Sequence, residues 1–274
     1  MSSPRSIVFT VFGDYLRYCG EGEAPLAALS QILGMFGIEP GTTRVVMTRL
    51  KKEGWFDTRR QGREVSYVLS NKGWNLLNEG LGRIFKRWDT EWDRQWSMVL
   101  VKFSETQRAA RDDARRRLIW EGFGQLSTST WMSPHDNLDA AENALSKLPL
   151  INLDLLRCNS QGLTHDRDIA SRCWDLSDVQ RDYTNFIDEF SVTPNLTGID
   201  ALKRRIELTD DYRHFPFRDP DLPRELLPAG WTGRRAHEVF TSVHSRLRIE
   251  AEAAIEQITG MPVLGSADLS APQK

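Results

Sequence analysis

The chain has 274 residues, 40% of them hydrophobic, with nine tryptophans and a formal net charge of −2, enough for two or three folded units and too near neutral to select a partner. Cys19, Cys158 and Cys173 are odd in number and lack metal-ligand spacing, which sets aside a disulfide framework and fits a reducing compartment. No stretch approaches the ~18 apolar residues of a membrane span, and MSSPRSIVFT lacks a signal-peptide run, so a cytoplasmic protein with no membrane contact is expected.

The charge is unevenly spread. Residues 1–88 hold 13 Lys/Arg against 8 Asp/Glu, and the remainder holds 23 against 30. A basic head on an acidic body points to a polyanionic partner for the head. Within it, Ile7, Val8, Val11, Phe12, Tyr15 and Leu16 follow helical spacing, as do Leu26, Leu29, Leu33 and Phe36 behind Pro25. GMFGIEPG reads as a turn, TTRVVMTRLKKEG as a third helix from about Thr42 to Gly54. WFDTRR and EVSYVLS read as strands joined by a tight turn at QGR, and Ser70 opens another helix through Trp74, Leu77 and Leu81. Three helices, a hairpin and a helix is the order of a winged helix.

LGRIFKRWDTEWDRQ is charged, weakly periodic and reads as a connection. WSMVLVKF is a short apolar strand, SETQRAARDDARRRLIW a helix, QLSTSTWMS an alternating strand, Leu138–Leu148 a short helix and LPLINLDLLRC a further strand. That alternation predicts a small ferredoxin-like α+β domain. Beyond it, Leu176, Val179, Tyr183, Phe186 and Phe190 form one helical face, and a long helix from Arg235 carries Ala236, Val239, Phe240, Val243 and Leu247 at core spacing. HFPFRDPDLPRELLPAGW has four prolines and reads as an ordered loop, and the last ten residues as a disordered tail. The expected organisation is α+β and multidomain: a winged-helix DNA-binding domain over 1–88, a ferredoxin-like dimerisation domain over 89–160 and a mostly helical domain over 161–274.

The third helix carries the first functional signal. With about 100° per residue and Val46 at the centre of the buried face, Arg44, Thr48 and Lys51 lie on the opposite ridge, flanked by Arg49 and Lys52. Arg pairs with guanine, Thr touches a base edge or methyl and Lys neutralises phosphate, so this ridge suits a DNA major groove. Any amphipathic helix has a charged outer face, but this one is nearly all of one sign. Thr42 and Thr43 open the helix, and Arg59, Arg60 and Arg63 surround the hairpin tip, where a wing would reach phosphates. Residues 41–63 hold seven basic and two acidic side chains.

RVVMTRLKKEGWF followed by GREVSYVLSNKGWNLL resembles the start of the phenylacetate-degradation repressor family, the PaaX-like regulators. WSMVLVKF, RRRLIWEGFGQLSTSTWMSP and RHFPFRDPDLPRELLPAGWTGRRAHEVF resemble its middle and C-terminal parts, so the likeness covers nearly the whole chain. The resemblance implies a homodimeric transcriptional repressor of an aromatic-compound catabolic operon. It also implies a palindromic double-stranded operator and release by a small effector such as phenylacetyl-CoA or a related aryl-CoA, with no cofactor and no enzymatic activity. Such an effector needs cations for its phosphates and an apolar pocket. Arg204, Arg205, Arg213, His214 and Arg218, near Phe215, Phe217 and Trp231, have that chemistry; they equally serve to hold the Pro-rich loop on the helical core.

The middle segment is also similar to the small ferredoxin-like CRISPR-associated nuclease subunit, clearest in GFGQLSTSTWM. That family carries an Asp at the end of its first strand to hold a metal. Here Lys102, Phe103 and Ser104 occupy that neighbourhood, with Glu105 just beyond, and a hard cation needs carboxylates. A metal-dependent nuclease is the alternative reading, and a DNA-bound protein without a ligand the third. Arg115, Arg116 and Arg117 fit either a solvated face paired with Asp112 and Asp113 or a second anion contact. His237 and His244 lack ligand neighbours and are expected at a surface or interface rather than on zinc.

Overall fold

The computed structural model describes residues 3–62, 64–85 and 91–264. The chain begins with α1 (Pro4–Asp14), a 3-10 turn at Leu16–Tyr18, β1 (Glu23–Pro25), α2 (Leu26–Gly34), α3 (Pro40–Lys52), β2 (Phe56–Gln61), β3 (Glu64–Leu69) and α4 (Asn71–Phe85). It continues with β4 (Trp96–Lys102), α5 (Arg108–Trp120), β5 (Gly124–Gln125), β6 (Thr130–Ser133), α6 (Leu138–Leu145) and β7 (Asn152–Cys158). Helices α7 (Leu163–Cys173), α8 (Ser177–Phe190), α9 (Gly198–Tyr212), α10 (Gly233–Arg246) and α11 (Arg248–Thr259) follow, with 3-10 turns at Phe215–Phe217 and Arg224–Leu226. The tail expected over 265–274, and 86–90 of the expected connection, lie outside the described residues.

Packing divides the chain into two units, one from Met1–Lys86, Tyr183–His214 and Gly233–Lys274, the other from Arg87–Asp182 and Phe215–Thr232. The sequence boundaries at 88/89 and 160/161 follow the chain, whereas these units follow the cores. Leu202 and Ile206 of α9 and Ala251, Ala254 and Ile255 of α11 lie in one buried cluster with Ile7, Val11, Leu29, Met47 and Phe56. Helical periodicity marks a buried face without saying what covers it.

In the first unit, a three-stranded antiparallel sheet runs in the order β1-β3-β2. The hairpin register pairs Phe56 with Leu69 and Gln61 with Glu64. At the hairpin turn Gly62 takes φ 61°, the left-handed backbone that tight hairpins favour. Strand β1 is too short to leave an alternation in the sequence. Helix α3 starts on Pro40, two residues earlier than expected, because proline presets the first helical φ. It stops at Gly54, at φ 81°, where Trp55 N–H donates to Leu50 C=O at 3.1 Å and Gly54 N–H to Lys51 C=O at 2.9 Å. This glycine-terminated cap satisfies the last carbonyls and turns the chain into β2.

The same unit holds a buried polar network between α1 and the C-terminal helices. Asp14 accepts from Thr209 Oγ1 at 2.7 Å and from His244 Nε2 at 3.3 Å. Arg205, only 3% exposed, donates through Nε to His244 C=O at 2.9 Å and meets His244 Nδ1 at 3.3 Å. Asp210 accepts from Thr10 at 2.8 Å, Ser6 at 2.7 Å and Arg213 at 2.9 Å. Burial lowers the His244 pKa, helped by Arg205 and opposed by Asp14. The ring is therefore neutral at pH 7: Nε2–H donates to Asp14 and Nδ1 accepts from Arg205. Burial pushes the Asp14 pKa up, but the His244, Arg205 and Thr209 contacts together bring it below the usual carboxylate value.

In the second unit, strands in the order β5-β6-β4-β7, all antiparallel, form a split βαβ sheet, the topology expected for this segment. One face packs Val99, Val101 and Trp131 against Ala114 and Leu118 of α5 and Ala141 and Leu145 of α6. The other packs Trp96 and Met132 against Ile169 and Ala170 of α7 and against Leu222 and Leu226 of the Pro-rich loop. That second face thus carries α7 and the loop. The stretch QLSTSTWMS is a hairpin rather than one strand. Leu126 N–H donates to Thr130 C=O at 2.9 Å and Ser127 Oγ–H to Thr130 Oγ1 at 2.9 Å, so the hydroxyls close a turn that alternation alone hides.

Two outcomes follow from this packing. A Cβ on Gly124 would lie 2.5 Å from Trp174 and 2.7 Å from Cys173, so Gly124→Ala should destabilise the second unit by about 1–3 kcal/mol in denaturant titration. For His244, a folded pKa below the usual 6.5 means the unfolded chain binds the proton more tightly, so stability falls as pH drops below that value. The melting temperature of wild type should fall between about pH 7.5 and about pH 5.5 more steeply than that of His244→Gln, which keeps a neutral donor.

Candidate nucleic-acid interface

The core side of α3 is set by Thr43, Met47 and Leu50, buried at 0%, 0% and 1% exposure. Val46 is only partly buried, so the helix is rotated from the orientation expected with Val46 at the centre. At about 100° per residue, Val45 and Lys52 lie about 170° from the buried centre, Thr48 and Arg49 about 130°, and Arg44 and Lys51 about 90° and 70°. Two corrections follow. Thr43 is no surface residue: its hydroxyl turns back to Glu39 C=O, and it packs inward. Arg44 and Lys51 are flanking positions, while Lys52, Thr48 and Arg49 surround the outermost line. Sequence reasoning passed over Val45, which shares the most outward line with Lys52 and is 68% exposed. Its β-branched apolar side chain reads as core to any periodicity argument.

The cations differ in what holds them. Arg49 Nε lies 3.0 Å from Glu53, Arg59 pairs with Glu23 at 2.8 Å, and Lys51 Nζ donates to Thr58 Oγ1 at 2.7 Å. Lys51 thus ties α3 to the hairpin. Among the described residues, Arg44, Lys52 and Arg60 are exposed and carry no ion pair. Arg63 lies outside the described residues. At the start of α3, Glu39 makes no side-chain cap and no acid occupies the first turn. The amides of Gly41 and Thr42 there sit at the positive end of the helix dipole, with Thr42 itself exposed.

Glu53 organises the base of this surface. It accepts from Arg5 of α1, from Arg49, and from Trp55 Nε1 at 3.1 Å, while its carbonyl accepts from Lys72 Nζ at 2.9 Å. Lys72 also stands 3.8 Å from the centroid of a Trp55 ring. The Arg5 hydrogen bond, followed by those of Trp55 and Arg49, outweighs desolvation and pushes the Glu53 carboxyl down to about 2. The acid nearest the cationic ridge therefore stays ionised and turned towards α1.

The remaining expected residues are placed as follows. Arg204, Arg213 and His214 belong to the first unit, Arg218 and Trp231 to the second. Arg204 pairs with Glu189 at 2.7 Å, Arg213 with Asp210 at 2.9 Å, and Arg218 with Asp182 at 2.6 Å. Arg205 is buried in the polar network described above. Arg204 thus bridges α9 to α8, Arg213 closes the end of α9, and Arg218 ties the Pro-rich loop to α8. Of the arginine triplet, Arg116 and Arg117 both pair with Asp113, at 3.0 and 2.8 Å, and Arg115 is exposed. His237 bonds Tyr212 OH at 2.8 Å, and His244 is 4% exposed, a core residue rather than a surface one. Lys102 ends β4, and among the described residues no cluster of three His, Cys, Asp or Glu is arranged to hold a metal ion. All three cysteines are free thiols.

Three family models match the chain in succession: a PaaX-like protein over residues 3–73, the PaaX protein central Cas2-like domain over 89–170, and the PaaX-like protein C-terminal domain over 174–257. The chain is also 30% identical over 273 residues to the Transcriptional repressor PaaX of Escherichia coli strain K12, covering 93% of this chain and 84% of that protein. The chain belongs to the PaaX family. Among solved structures, Uncharacterized protein Rv0674 from Mycobacterium tuberculosis matches with a TM-score of 0.59 at 23% identity, over 84% of this chain and 91% of that one. That likeness speaks for a shared fold alone. The Cas2-like central segment of this PaaX-family chain is the split βαβ sheet described above.

Glu53 gives the surface a pH signature. Its folded pKa of about 2 lies below the usual 4.5, so its contribution is fully present above about 4.5 and is lost as pH falls towards 2. Glu53→Gln should melt below wild type at neutral pH, and the gap should narrow once pH drops beneath about 4.5. A gap that stays constant down to acid would mean the carboxylate charge is not what holds Arg5 and Arg49.

Proposed function

We propose that this protein is a DNA-binding transcriptional repressor of an aromatic-compound catabolic operon, acting through a winged helix built from α1, α2, α3 and the β2–β3 hairpin. In this reading α3 enters the major groove and the hairpin tip meets the adjacent backbone. The observation that carries it is the set of unpaired cations. Arg44, Lys52 and Arg60 stay free of ion pairs on a helix and hairpin linked by Lys51, while Glu53 pairs with Arg5 and Arg49 and Glu23 with Arg59. A solvated helix face mixes its signs; this one leaves cations without partners, as phosphate binding requires. Membership of the PaaX family and the repressor name of the Escherichia coli relative support the same reading.

A homodimer on a palindromic operator, and release by an aryl-CoA such as phenylacetyl-CoA, complete the proposal. The effector's binding residues are not assigned, since the arginines expected for it are engaged within their own units. The nuclease alternative is disfavoured by Lys102 at the end of β4, a cation where a metal-binding strand would need a carboxylate.

The proposal is tested by fluorescence anisotropy on duplexes recovered from a randomised pool. Arg44→Ala should weaken the selected site by about 1–3 kcal/mol, more than it weakens random duplex. Arg60→Ala should weaken all sequences alike and lower the slope of log K against log salt by about one phosphate contact. Phenylacetyl-CoA should lower affinity where CoA alone does not. Failure to enrich any sequence would overturn the repressor reading.

A further inference from the structure

We propose that Val45 is a specificity-determining residue that reads the 5-methyl group of thymine. The inference rests on the DNA-binding reading above and adds the base it selects. Val45 is 68% exposed on a helix whose core side is fully occupied by Thr43, Met47 and Leu50. It adds nothing to the core, and a β-branched residue slightly weakens the helix carrying it. Its surroundings are polar and cationic: Arg44 and Arg49 on either side, Thr48 and Lys52 along the same exposed line. A lone apolar group amid cations is what a groove lined by phosphates and punctuated by thymine methyls would bury.

Two local features prepare Val45 for that contact. In a helix, valine keeps one strongly preferred side-chain rotamer, so its methyls are fixed before binding and little entropy is lost. One turn earlier stands Gly41, exposed and without positive φ, where an added Cβ would meet nothing within 4 Å. Neither packing nor backbone geometry asks for glycine there, and its lack of a side chain lets the helix end approach a base edge closely. One turn later, the Thr48 hydroxyl donates to Arg44 C=O at 2.8 Å. Its proton is thus spent on the helix, which leaves its methyl to extend the apolar line from Val45.

The test replaces each thymine in the selected duplex, one at a time, by deoxyuridine, which lacks only the methyl. Affinities of full-length wild type and Val45→Ala are then compared, with thermal melts showing that the variant folds. Wild type should lose roughly fourfold at one thymine per half-site, the value of one buried carbon group. Val45→Ala should show that loss already on the thymine duplex and no further loss on uracil at that position. The proposal is overturned if wild type is indifferent to uracil everywhere, or if the uracil penalty persists undiminished in Val45→Ala. Retention of no duplex by wild type would overturn the DNA-binding reading itself, and this inference with it.

Discussion

The seating of α3 determines what the rest of the first unit can do. Thr43, Met47 and Leu50 bury one side of the helix, the Gly54 cap ends it, and Lys51 ties it to β2. A rotation of this helix by one residue's arc towards Arg44 would exchange Val45 for a charged side chain on its outer line. The buried triplet therefore fixes the chemistry shown to a partner, though none of its members touches that partner. Glu53 completes the arrangement by pairing with Arg5 and Arg49, which leaves Arg44 and Lys52 without an ion pair.

The first unit is more than an N-terminal segment. Helix α1 sits between α3 and the C-terminal helices, and polar side chains at Thr10 and Asp14 bond residues nearly two hundred positions away. Buried charges are costly unless their partners are in place, so Asp14, Arg205 and His244 specify one docking of α1 on α9 and α10. The same network ties the helix behind α3 to the C-terminal helices. The second unit repeats the logic in apolar form: its sheet is covered on both faces, and Trp96 is held by its bond to buried Asp166 at 2.8 Å.

Much of this was legible from the residues. The order of helices and hairpin in the first 85 residues follows from periodicity and from Gly54 and Gly62, and the strand-helix alternation of the middle segment from periodicity. What stayed hidden depends on contacts between distant segments. Helices α9 and α11 leave no clear periodic signal in the sequence, and only their packing reveals that α1 and α2 receive them. The rotation of α3 was misread because Val45 and Val46 are chemically alike, and nothing local says which one Met47 leaves outside. Thr43 looked polar and therefore external, yet its hydroxyl finds a partner one turn back and its methyl joins the core. The ion pairs of Arg204 with Glu189 and of Arg218 with Asp182 span 15 and 36 residues and leave no local sequence signal.

The central claim is that the outer line of α3 meets base edges. Photo-crosslinking tests it most directly, using the selected duplex with 5-iodouracil in place of thymine and the adduct mapped by tryptic mass spectrometry. The account predicts adducts on the peptide Val45–Arg49 or its immediate neighbours in α3. Adducts confined to residues 96–182, with α3 unmodified, would contradict it.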